Sequence, residues 1–399
     1  MRVASLSNPT LMVDLIGRSQ AELTRLQSQT ATGRAFQSPS EDPFGATRSL
    51  QLTRALDQLE QFEANAGRAE DRLTLQEVTM GDLGDQFRRV RELAVQANSG
   101  ILSDADRRAI GAEVQQIRQE ALSLANAVDG EGRFLFSGFR SNVEPFTESN
   151  GAVSYQGDQS ERQLTIGPGR TIVDGASGDA VFMRVTNGNG TFVTSAEGAN
   201  TGTGVIDAGS LTDVTTVIDQ SYRISFTSPT DYEVSDSAGT VLTTGVYDPD
   251  AGNDIAFAGV QVGITGAPQT GVVFVVDPSR NQDVFATLDQ LVEVLNTPQP
   301  TPADRAALGN AINSALVNID QAQENFSVQR ARAGTLLNAI DSQRALNDES
   351  AILLQASRSA VEDVDLVETI SALQLQISSL QAAQQSFVSV QSLSLFNFL

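Results

Sequence analysis

The side chains that could carry chemistry in this sequence are carboxylates, hydroxyls and arginine guanidinium groups, because histidine, cysteine and tryptophan are all absent. Histidine is the commonest general base and a frequent metal ligand, and cysteine supplies the thiolate nucleophile. Their absence excludes Ser-His-Asp and Cys-His triads, the H-E-x-x-H zinc helix and any disulfide framework. Chemistry by a pair of carboxylates remains open on composition alone.

An acidic turn, Asp248-Pro-Asp-Ala-Gly-Asn-Asp254, alternates oxygen ligands in the manner of a calcium loop. It lacks the bidentate glutamate that closes such loops, so we interpret it as a solvated β-turn. The glycines of Gly167-Pro-Gly169 do not stand between a strand and a helix, which argues against a phosphate-binding loop. No carboxylate pair has a spacing that defines a catalytic geometry. We therefore predict no enzyme activity, no cofactor and no metal.

The chain is strongly acidic, with 49 acidic against 26 basic residues and a formal net charge of −23. Phosphate backbones and anionic lipids bind to clustered basic residues, so we predict neither nucleic acid nor a membrane as a partner. The small cluster Arg88-Arg-Val-Arg91 fits a helix face that pairs with acids. The N-terminus does not resemble a secretory signal peptide, and no apolar stretch reaches the length of a membrane span. These features predict a cytoplasmic protein, unless export uses a route without a cleavable signal.

Proline is absent from Phe44 to Glu144 and again from Ala303 to Leu399. Because proline breaks helix interiors, both blocks are predicted to be helical. Residues 151–280 contain 19 of the 32 glycines, together with apolar runs such as Val272-Val-Phe-Val-Val276. Short runs of this kind between Gly, Asn and Asp turns are typical of strands. The chain is therefore predicted to carry a β-rich domain between two helical arms.

Apolar or small residues recur at steps of three and four along both arms, which is typical of a coiled-coil seam. In the first arm this stripe runs from Leu52 to Ala97, broken only by Gln76, and it resumes at Ile110. We predict that the stripes form the interface of a helical rod and of its contacts with other subunits. The residues assigned to this interface are Leu52, Leu59, Phe62, Leu73, Met80, Phe87, Ile110, Ile117, Leu124, Ile312, Ile319, Phe326, Leu336 and Ile340.

Weaker stripes of the same spacing mark the two ends of the chain. Short helices without partners are marginally stable in water, so we predict that these terminal helices are partly disordered in the monomer. They are expected to gain order when they polymerise with neighbouring subunits. The residues assigned to the polymerisation helices are Met12, Ile16, Leu23, Leu366, Ile370, Leu373, Ile377, Leu380 and Phe387.

The predicted fold class is α+β, with a long antiparallel α-helical coiled-coil rod built from both termini and an inserted, mostly β outer domain. The N-terminal tip helix and loop are assigned to residues 1–44, and the C-terminal tip helix to residues 351–399. The parts between them are the N-terminal helical hairpin at 45–138, the β-rich outer domain at 139–280 and the C-terminal helical part of the rod at 281–350.

Several short segments mark the ends of the predicted helices. Ser103-Asp-Ala-Asp106 supplies a cap with an acid three residues on, and Thr301-Pro302 places proline in a first helical turn. In Ser40-Glu-Asp-Pro43, the serine is predicted to cap the long N-terminal helix. Gly33 and Gly138 suit backbone conformations that other residues would adopt only with strain.

Motifs in both arms resemble those of the flagellin superfamily and, within it, the hook-associated protein 3 family. In the N-terminal arm these are the loop Ser38-Pro-Ser-Glu-Asp-Pro43 and the exit segment Gly132-Arg-Phe-Leu-Phe-Ser-Gly138, and the opening Met1-Arg-Val3 also fits. In the C-terminal arm they are Asp363-Val-Asp365 and the closing Ser394-Leu-Phe-Asn-Phe-Leu399. The residues of the family loop carried over by this resemblance are Ser38, Pro39, Asp42 and Pro43.

The resemblance implies a structural subunit of the extracellular bacterial flagellum at the hook-filament junction. Subunits of this kind leave the cell unfolded through the flagellar type III export apparatus. They then form a ring of copies between the first hook-associated protein and flagellin, with the terminal helices inside and the β domain outside. The amphipathic C-terminal segment is the part that an export chaperone shields.

Three alternatives stay open at this point. Flagellin itself shares the helical arms, but the loop at Ser38–Pro43 and the ending Leu395-Phe-Asn-Phe-Leu399 fit the junction protein better. A secreted adhesin or binding module on a helical stalk would use the β domain instead. An enzyme grafted into the outer domain would have to be a carboxylate hydrolase.

Overall fold

The computed structural model describes residues 4–213, 215 and 218–396. Met1–Val3 of the opening motif and the last three residues of the closing motif lie outside this part. The helix that precedes Pro302 lies within residues 281–350, which were predicted to be the C-terminal helical part of the rod. The α-helices of the described part are α1 (Ala4–Thr32), α2 (Pro43–Ala97), α3 (Asp104–Ala125), α4 (Val284–Asn296), α5 (Pro302–Glu362) and α6 (Leu366–Phe396).

Short strands fill the segment between α3 and α4, as predicted, together with one π-helical turn at Asp179–Met183. The strands are β1 (Phe146–Ser149), β2 (Ala152–Tyr155), β3 (Gln163–Gly167), β4 (Arg170–Val173), β5 (Val185–Thr186), β6 (Phe192–Ala196), β7 (Val205–Ile206), β8 (Ser210–Leu211), β9 (Tyr222–Ser228), β10 (Asp231–Ser235), β11 (Val241–Val246), β12 (Asn253–Phe257), β13 (Val260–Thr265), β14 (Val273–Pro278) and β15 (Asn281–Gln282).

Two antiparallel sheets build the outer part of the β-rich segment. One has the strand order β11-β10-β9-β14-β6, and the other has the order β12-β13-β7 with β8 also paired to β13. Alternate residues of both sheets are buried in a shared core that includes Ile224, Phe274 and Val262. Phe226 and Tyr247 meet edge to face in this core, with ring centroids 5.2 Å apart. The acidic turn interpreted above as a β-turn connects β11 to β12.

The chain divides into two compact units. The terminal unit comprises Met1–Ala64 and Gln343–Leu399, and the central unit comprises Asn65–Ser342. Within the central unit, Phe87 of α2 meets Phe326 of α5 edge to face at 5.2 Å between centroids. Within the terminal unit, α1 packs against α6. The predicted fold class is therefore confirmed, because long helices from both chain ends pack together and a β-rich segment is inserted between them.

Buried polar side chains of α2 hold the segment that leaves α3. Arg72 and Gln76 are buried, and each donates a hydrogen bond of 2.7 Å to the carbonyl oxygen of Leu135. Gly138 has a φ of +66°, and a Cβ there would lie 2.5 Å from the carbonyl oxygen of Asp158. The expectation that only glycine fits this position is consistent with that geometry.

Tyr155 of β2 also holds the segment that leaves α3. Its hydroxyl oxygen lies 2.8 Å from the carbonyl oxygens of both Phe136 and Asp158. Burial raises the pKa of Tyr155 to about 12.

The free energy of unfolding is expected to fall between pH 10 and pH 12 because of Tyr155. In the unfolded chain the phenol ionises near its usual pKa of 10, whereas the folded protein keeps it protonated up to about 12. This contribution to stability is complete below pH 10 and is lost as the pH rises through that window. Tyr155→Phe removes this part of the pH dependence. Guanidinium unfolding curves of both proteins across the window measure it, and parallel pH profiles would contradict the assignment.

The cap of α3 and the start of α5 at Pro302 agree with the sequence, whereas the cap of α2 does not. Ser103 and Asp106 form a reciprocal capping box at α3. At α2, the Oδ1 atom of Asp42 accepts from the main-chain nitrogens of Phe44 and Gly45 at 3.1 and 2.9 Å. The prediction that Ser40 caps this helix is wrong. Because proline occupies the first helical position, the residue directly before it becomes the cap.

Asp42→Ala is expected to lower the free energy of unfolding by about 1 kcal/mol, the usual cost of losing an N-cap. Ser40→Ala is the matched control, because the Ser40 hydroxyl contacts only a neighbouring loop hydroxyl at 2.7 Å. Its effect should stay below about 0.5 kcal/mol. Urea unfolding followed by helical circular dichroism measures both variants, and an equal loss in the two would place the cap elsewhere.

Candidate assembly interface

The side chains predicted for the rod interface lie within the core of the chain itself. Two of them, Leu124 and Leu336, are half-buried and pack against that core. The contacts that the assigned side chains make lie within their own chain. The predicted part of these residues in contacts between subunits stays a prediction. The others are buried: Leu52, Leu59, Phe62, Leu73, Met80, Phe87, Ile110, Ile117, Ile312, Ile319, Phe326 and Ile340.

Ion pairs beside this core join α2 to α5 within each unit. In the central unit, Arg330 Nε lies 2.9 Å from Glu77 Oε1, and Arg91 Nε lies 2.7 Å from Asp320 Oδ1. In the terminal unit, α5 contributes an arginine that lies 2.8 Å from Glu63. Partly exposed pairs of this kind contribute about 0–1 kcal/mol each. They favour one register of the two antiparallel helices more than they stabilise the fold.

Asparagines on α5 anchor the β-rich segment, and sequence reasoning missed them. Asn310 Oδ1 accepts from the main-chain nitrogen of Ile206 at 2.8 Å, and Asn318 Oδ1 accepts from that of Gly188 at 2.8 Å. Asn325 donates to a carbonyl oxygen of the π-helical turn at 2.8 Å. Their spacing of eight and seven residues repeats one helix face. That spacing is the signal from which the row could have been found.

Arg118 of α3 is fully buried and ties three elements together. Its Nε lies 2.6 Å from Asp289 Oδ1 on α4, and its Nη2 lies 3.1 Å from Glu148 Oε1 on β1. Burial raises the pKa of Asp289, although Arg118 opposes the shift. We interpret this cluster as a structural link between α3, α4 and β1, since both acids are already paired with the buried arginine.

The terminal helices α1 and α6 form an antiparallel pair. The side-chain amide of Gln376 donates to the main-chain carbonyl oxygen of Ser19 at 3.1 Å, and Leu26 is buried. Of the residues predicted for polymerisation, Met12, Ile16, Leu23, Leu373, Leu380 and Phe387 are half-buried. The remaining three, Leu366, Ile370 and Ile377, stay 47%, 42% and 37% exposed. The predicted stripe of α6 therefore covers both a paired face and an unpaired one.

The terminal unit leaves an unusual amount of apolar surface uncovered. More than half of the exposed large hydrophobic side chains of the described residues belong to it, although it is the smaller unit. On α6, Val367 and Leu375 are 78% and 73% exposed, and on α1 Leu11 is 62% exposed. No charged residue follows Glu368 in the sequence. Exposed apolar surface of this extent is typical of interaction sites.

The segment between α1 and the family loop lies beside the break between α5 and α6. The main-chain nitrogen of Ala35 donates to the carbonyl oxygen of Glu362 at 2.7 Å. The main-chain nitrogen of Val364 donates to the carbonyl oxygen of Gly33 at 3.0 Å. Gly33 itself has a φ of +70°, as its predicted role requires. Ser38 is half-buried, whereas Pro39, Asp42 and Pro43 are exposed. This contact holds the two helix breaks of the terminal unit side by side.

Across residues 4–213, 215 and 218–396, no helix combines the length and apolar character needed to cross a membrane. In the same residues, no three acidic side chains are grouped so that they could hold a metal ion. The Oδ1 atom of Asp248 in the acidic turn accepts from the main-chain nitrogen of Asp250 at 2.9 Å.

Comparison with known proteins shows which proteins share this architecture. The model of the bacterial flagellin N-terminal helical region matches residues 6–141. Flagellar hook-associated protein 3 of Escherichia coli K12 is 25% identical over 96% of this chain and 94% of its own length. The crystal structure of FlgL from Xanthomonas campestris is 38% identical and covers 77% of this chain and 99% of its own, with a TM-score of 0.73. The flagellar junction protein FlgL from Legionella pneumophila is 25% identical over 79% of this chain and 99% of its own, with a TM-score of 0.71.

Paired long helices, an inserted β-rich segment and these matches define a structural subunit of the flagellin type. Within that class, the chain belongs to the flagellar hook-associated protein 3 family, also called FlgL. It is a structural component of the bacterial flagellum at the hook-filament junction and not an enzyme. This membership decides against the flagellin, adhesin and enzyme alternatives.

Proposed function

We propose that copies of this chain form a ring at the junction, bounded by the first hook-associated protein on one side and by flagellin on the other. The observation that carries the proposal is the uncovered apolar surface of α1 and α6, which persists although the two helices already pair. Full burial of one such side chain stabilises by about 1.5–3 kcal/mol. In a single chain these side chains stay in contact with water. Contact with neighbouring subunits would supply the stabilisation.

The β-rich segment is proposed to face away from the ring axis. Residues 151–280 carry 15 acidic residues against 5 arginines, so this segment is strongly acidic for its size. Like charges repel when they are brought close together in a ring. The acidic segments of neighbouring copies would therefore be farthest apart on the outside of the ring, where the circumference is largest.

An export chaperone is the partner we propose for the stage before assembly. The same α6 surface, with Leu375 and Val388 at 73% and 64% exposure, would otherwise associate with any apolar surface in the cell. The absence of cysteine fits passage of the unfolded chain through an export channel, because no disulfide has to be reduced first.

Deletion of the gene followed by electron microscopy tests the proposed position. Cells should retain hooks but shed flagellin into the medium, and the intact gene should restore filaments. Purified protein should add to isolated hooks that end in the first hook-associated protein, without growing long filaments by itself. Filaments on the deletion strain, or long polymers of the purified chain alone, would refute the proposal.

A further inference from the structure

The larger sheet of the β-rich segment ends in an open edge at β11. This strand pairs with β10 on one side, and within the part of the chain that the structure describes no strand pairs with its other side. Its sequence, Val241-Leu-Thr-Thr-Gly-Val246, contains neither a charged residue nor a proline. Val246 is 72% exposed. Natural sheet edges are usually protected by charge, by proline or by a covering element, and an edge without them is suited to pairing with another strand.

The unpaired backbone groups of this edge belong to alternate residues. The main-chain nitrogen of Tyr247 donates to the carbonyl oxygen of Thr230, directly before β10, at 2.7 Å. Because the hydrogen bonds of an antiparallel strand alternate between its two sides, the N–H groups of Thr244 and Val246 point away from β10. The carbonyl oxygen of Val246 accepts from the side-chain amide of Asn253 at 3.1 Å, which agrees with this direction. The register shift between β10 and β11 lies at the other end of the strand.

The smaller sheet shows how an edge is closed in this fold. β7 pairs with β13 on one side, and side chains of α5 lie against its other side. Asn310 accepts from the main-chain nitrogen of Ile206 at 2.8 Å and donates to the carbonyl oxygen of Gly204 at 3.1 Å. Asn313 donates to the carbonyl oxygen of Ile206 at 3.3 Å. These two amides take the place of a neighbouring strand, so the edge of β7 is closed to partners.

The surroundings of the open edge are acidic. From Ile224 to Ser279 the chain carries seven acidic residues and no basic one. Asp236 precedes β11, and Asp248 and Asp250 follow it. Pairing of β11 with the same strand of a second copy would bring the acidic groups of both chains together, and like charges repel. Charge complementarity therefore favours a basic partner.

We propose that β11 binds an extended, basic polypeptide segment, which adds to the sheet as a further strand. The outward backbone groups of Thr244 and Val246 supply the main-chain hydrogen bonds of this pairing. The exposed side chain of Val246 supplies an apolar contact, and basic residues at the ends of the segment face Asp236 and Asp248. This partner is not a member of the proposed ring, so the binding is a second activity of the chain.

A fluorescent peptide of alternating valine and threonine with arginines at both ends is the probe, and fluorescence anisotropy with the full-length chain measures its binding. Raising the salt concentration from about 0.1 M to about 1 M should weaken binding roughly tenfold, because the charges are screened. Glutamates in place of the arginines should weaken it at least as much. The same basic peptide, N-methylated on the residues that face β11, should lose binding because it cannot donate to the strand.

Thr244→Pro tests the edge from the side of the protein. It removes an outward N–H group without breaking a hydrogen bond to β10, and proline is tolerated on the solvent side of an edge strand. Affinity for the peptide should fall at least about tenfold, whereas Thr244→Val keeps the N–H group and should change affinity less than about twofold. Circular dichroism checks that both variants fold.

Equal binding by the unmodified chain and a folded Thr244→Pro would overturn the proposal. Binding that N-methylation of the peptide leaves unchanged would also overturn it, because the attraction would then be ionic alone, and this comparison does not depend on the folding of any variant. Sedimentation that shows dimers of the unmodified chain, lost in Thr244→Pro, would identify a second copy as the occupant and refute a basic partner.

Discussion

Phe87→Ala is expected to lower the free energy of unfolding by about 3–5 kcal/mol, the usual cost of emptying a buried phenylalanine site. Phe87 is fully buried, and its ring lies edge to face with that of Phe326 at 5.2 Å. This contact joins α2 to α5, so its loss separates segments that are far apart in sequence. Urea unfolding monitored by circular dichroism measures the effect.

Val328→Ala is the matched control, because Val328 lies on the same helix, two residues from Phe326, but is 53% exposed. It should change stability by less than about 0.5 kcal/mol. Phe326→Ala combined with Phe87→Ala should cost less than the two single changes together, since each single change already breaks the ring contact. Additive losses would show that the rings stabilise the protein independently.

Leu375→Asp on α6 is expected to lower incorporation into flagella at least about tenfold while leaving the free energy of unfolding within about 0.5 kcal/mol. Leu375 is 73% exposed, so an aspartate there remains hydrated in the free chain. In the ring it would face an apolar neighbour, where an unpaired carboxylate is costly. Quantitative immunoblots of purified hooks measure incorporation.

Val246→Asp on β11 is the control for this prediction. Its side chain is 72% exposed, nearly the same as that of Leu375, but it lies in the β-rich segment. Incorporation of this variant should match that of the unmodified chain. Normal incorporation of Leu375→Asp would contradict the role of α6, and equal losses in both variants would point to a general effect of added charge.

Features that depend on residues close in sequence were predicted well. The three-four stripe of α2 placed Leu73 and Met80 on one apolar helix face, because spacing alone fixes such a face, and both side chains are buried. The Ser103 capping box followed for the same reason. Ser40 was misassigned as a cap, because the helix begins at Pro43 and the residue directly before it, Asp42, supplies the cap. The domain boundaries stay predictions, although α5 continues to Glu362, beyond the predicted division at residue 350.

Features that depend on tertiary placement could not be predicted. Asn310 and Asn318 look like ordinary solvated helix residues until the β-rich segment supplies their partners. The α6 stripe gave the correct period, but the period does not show which face meets α1. As a result, Leu373 and Ile377 were grouped together, although one is half-buried and the other is exposed.

The absence of charge from Thr369 to Leu399 has a consequence for the environment in which the flagellum works. Contacts without ion pairs are not weakened by charge screening, so a rise in salinity should not loosen them. Apolar contacts weaken on cooling, because the hydrophobic driving force near room temperature is largely entropic. A junction held by this segment should therefore tolerate changes in salinity and loosen first in the cold.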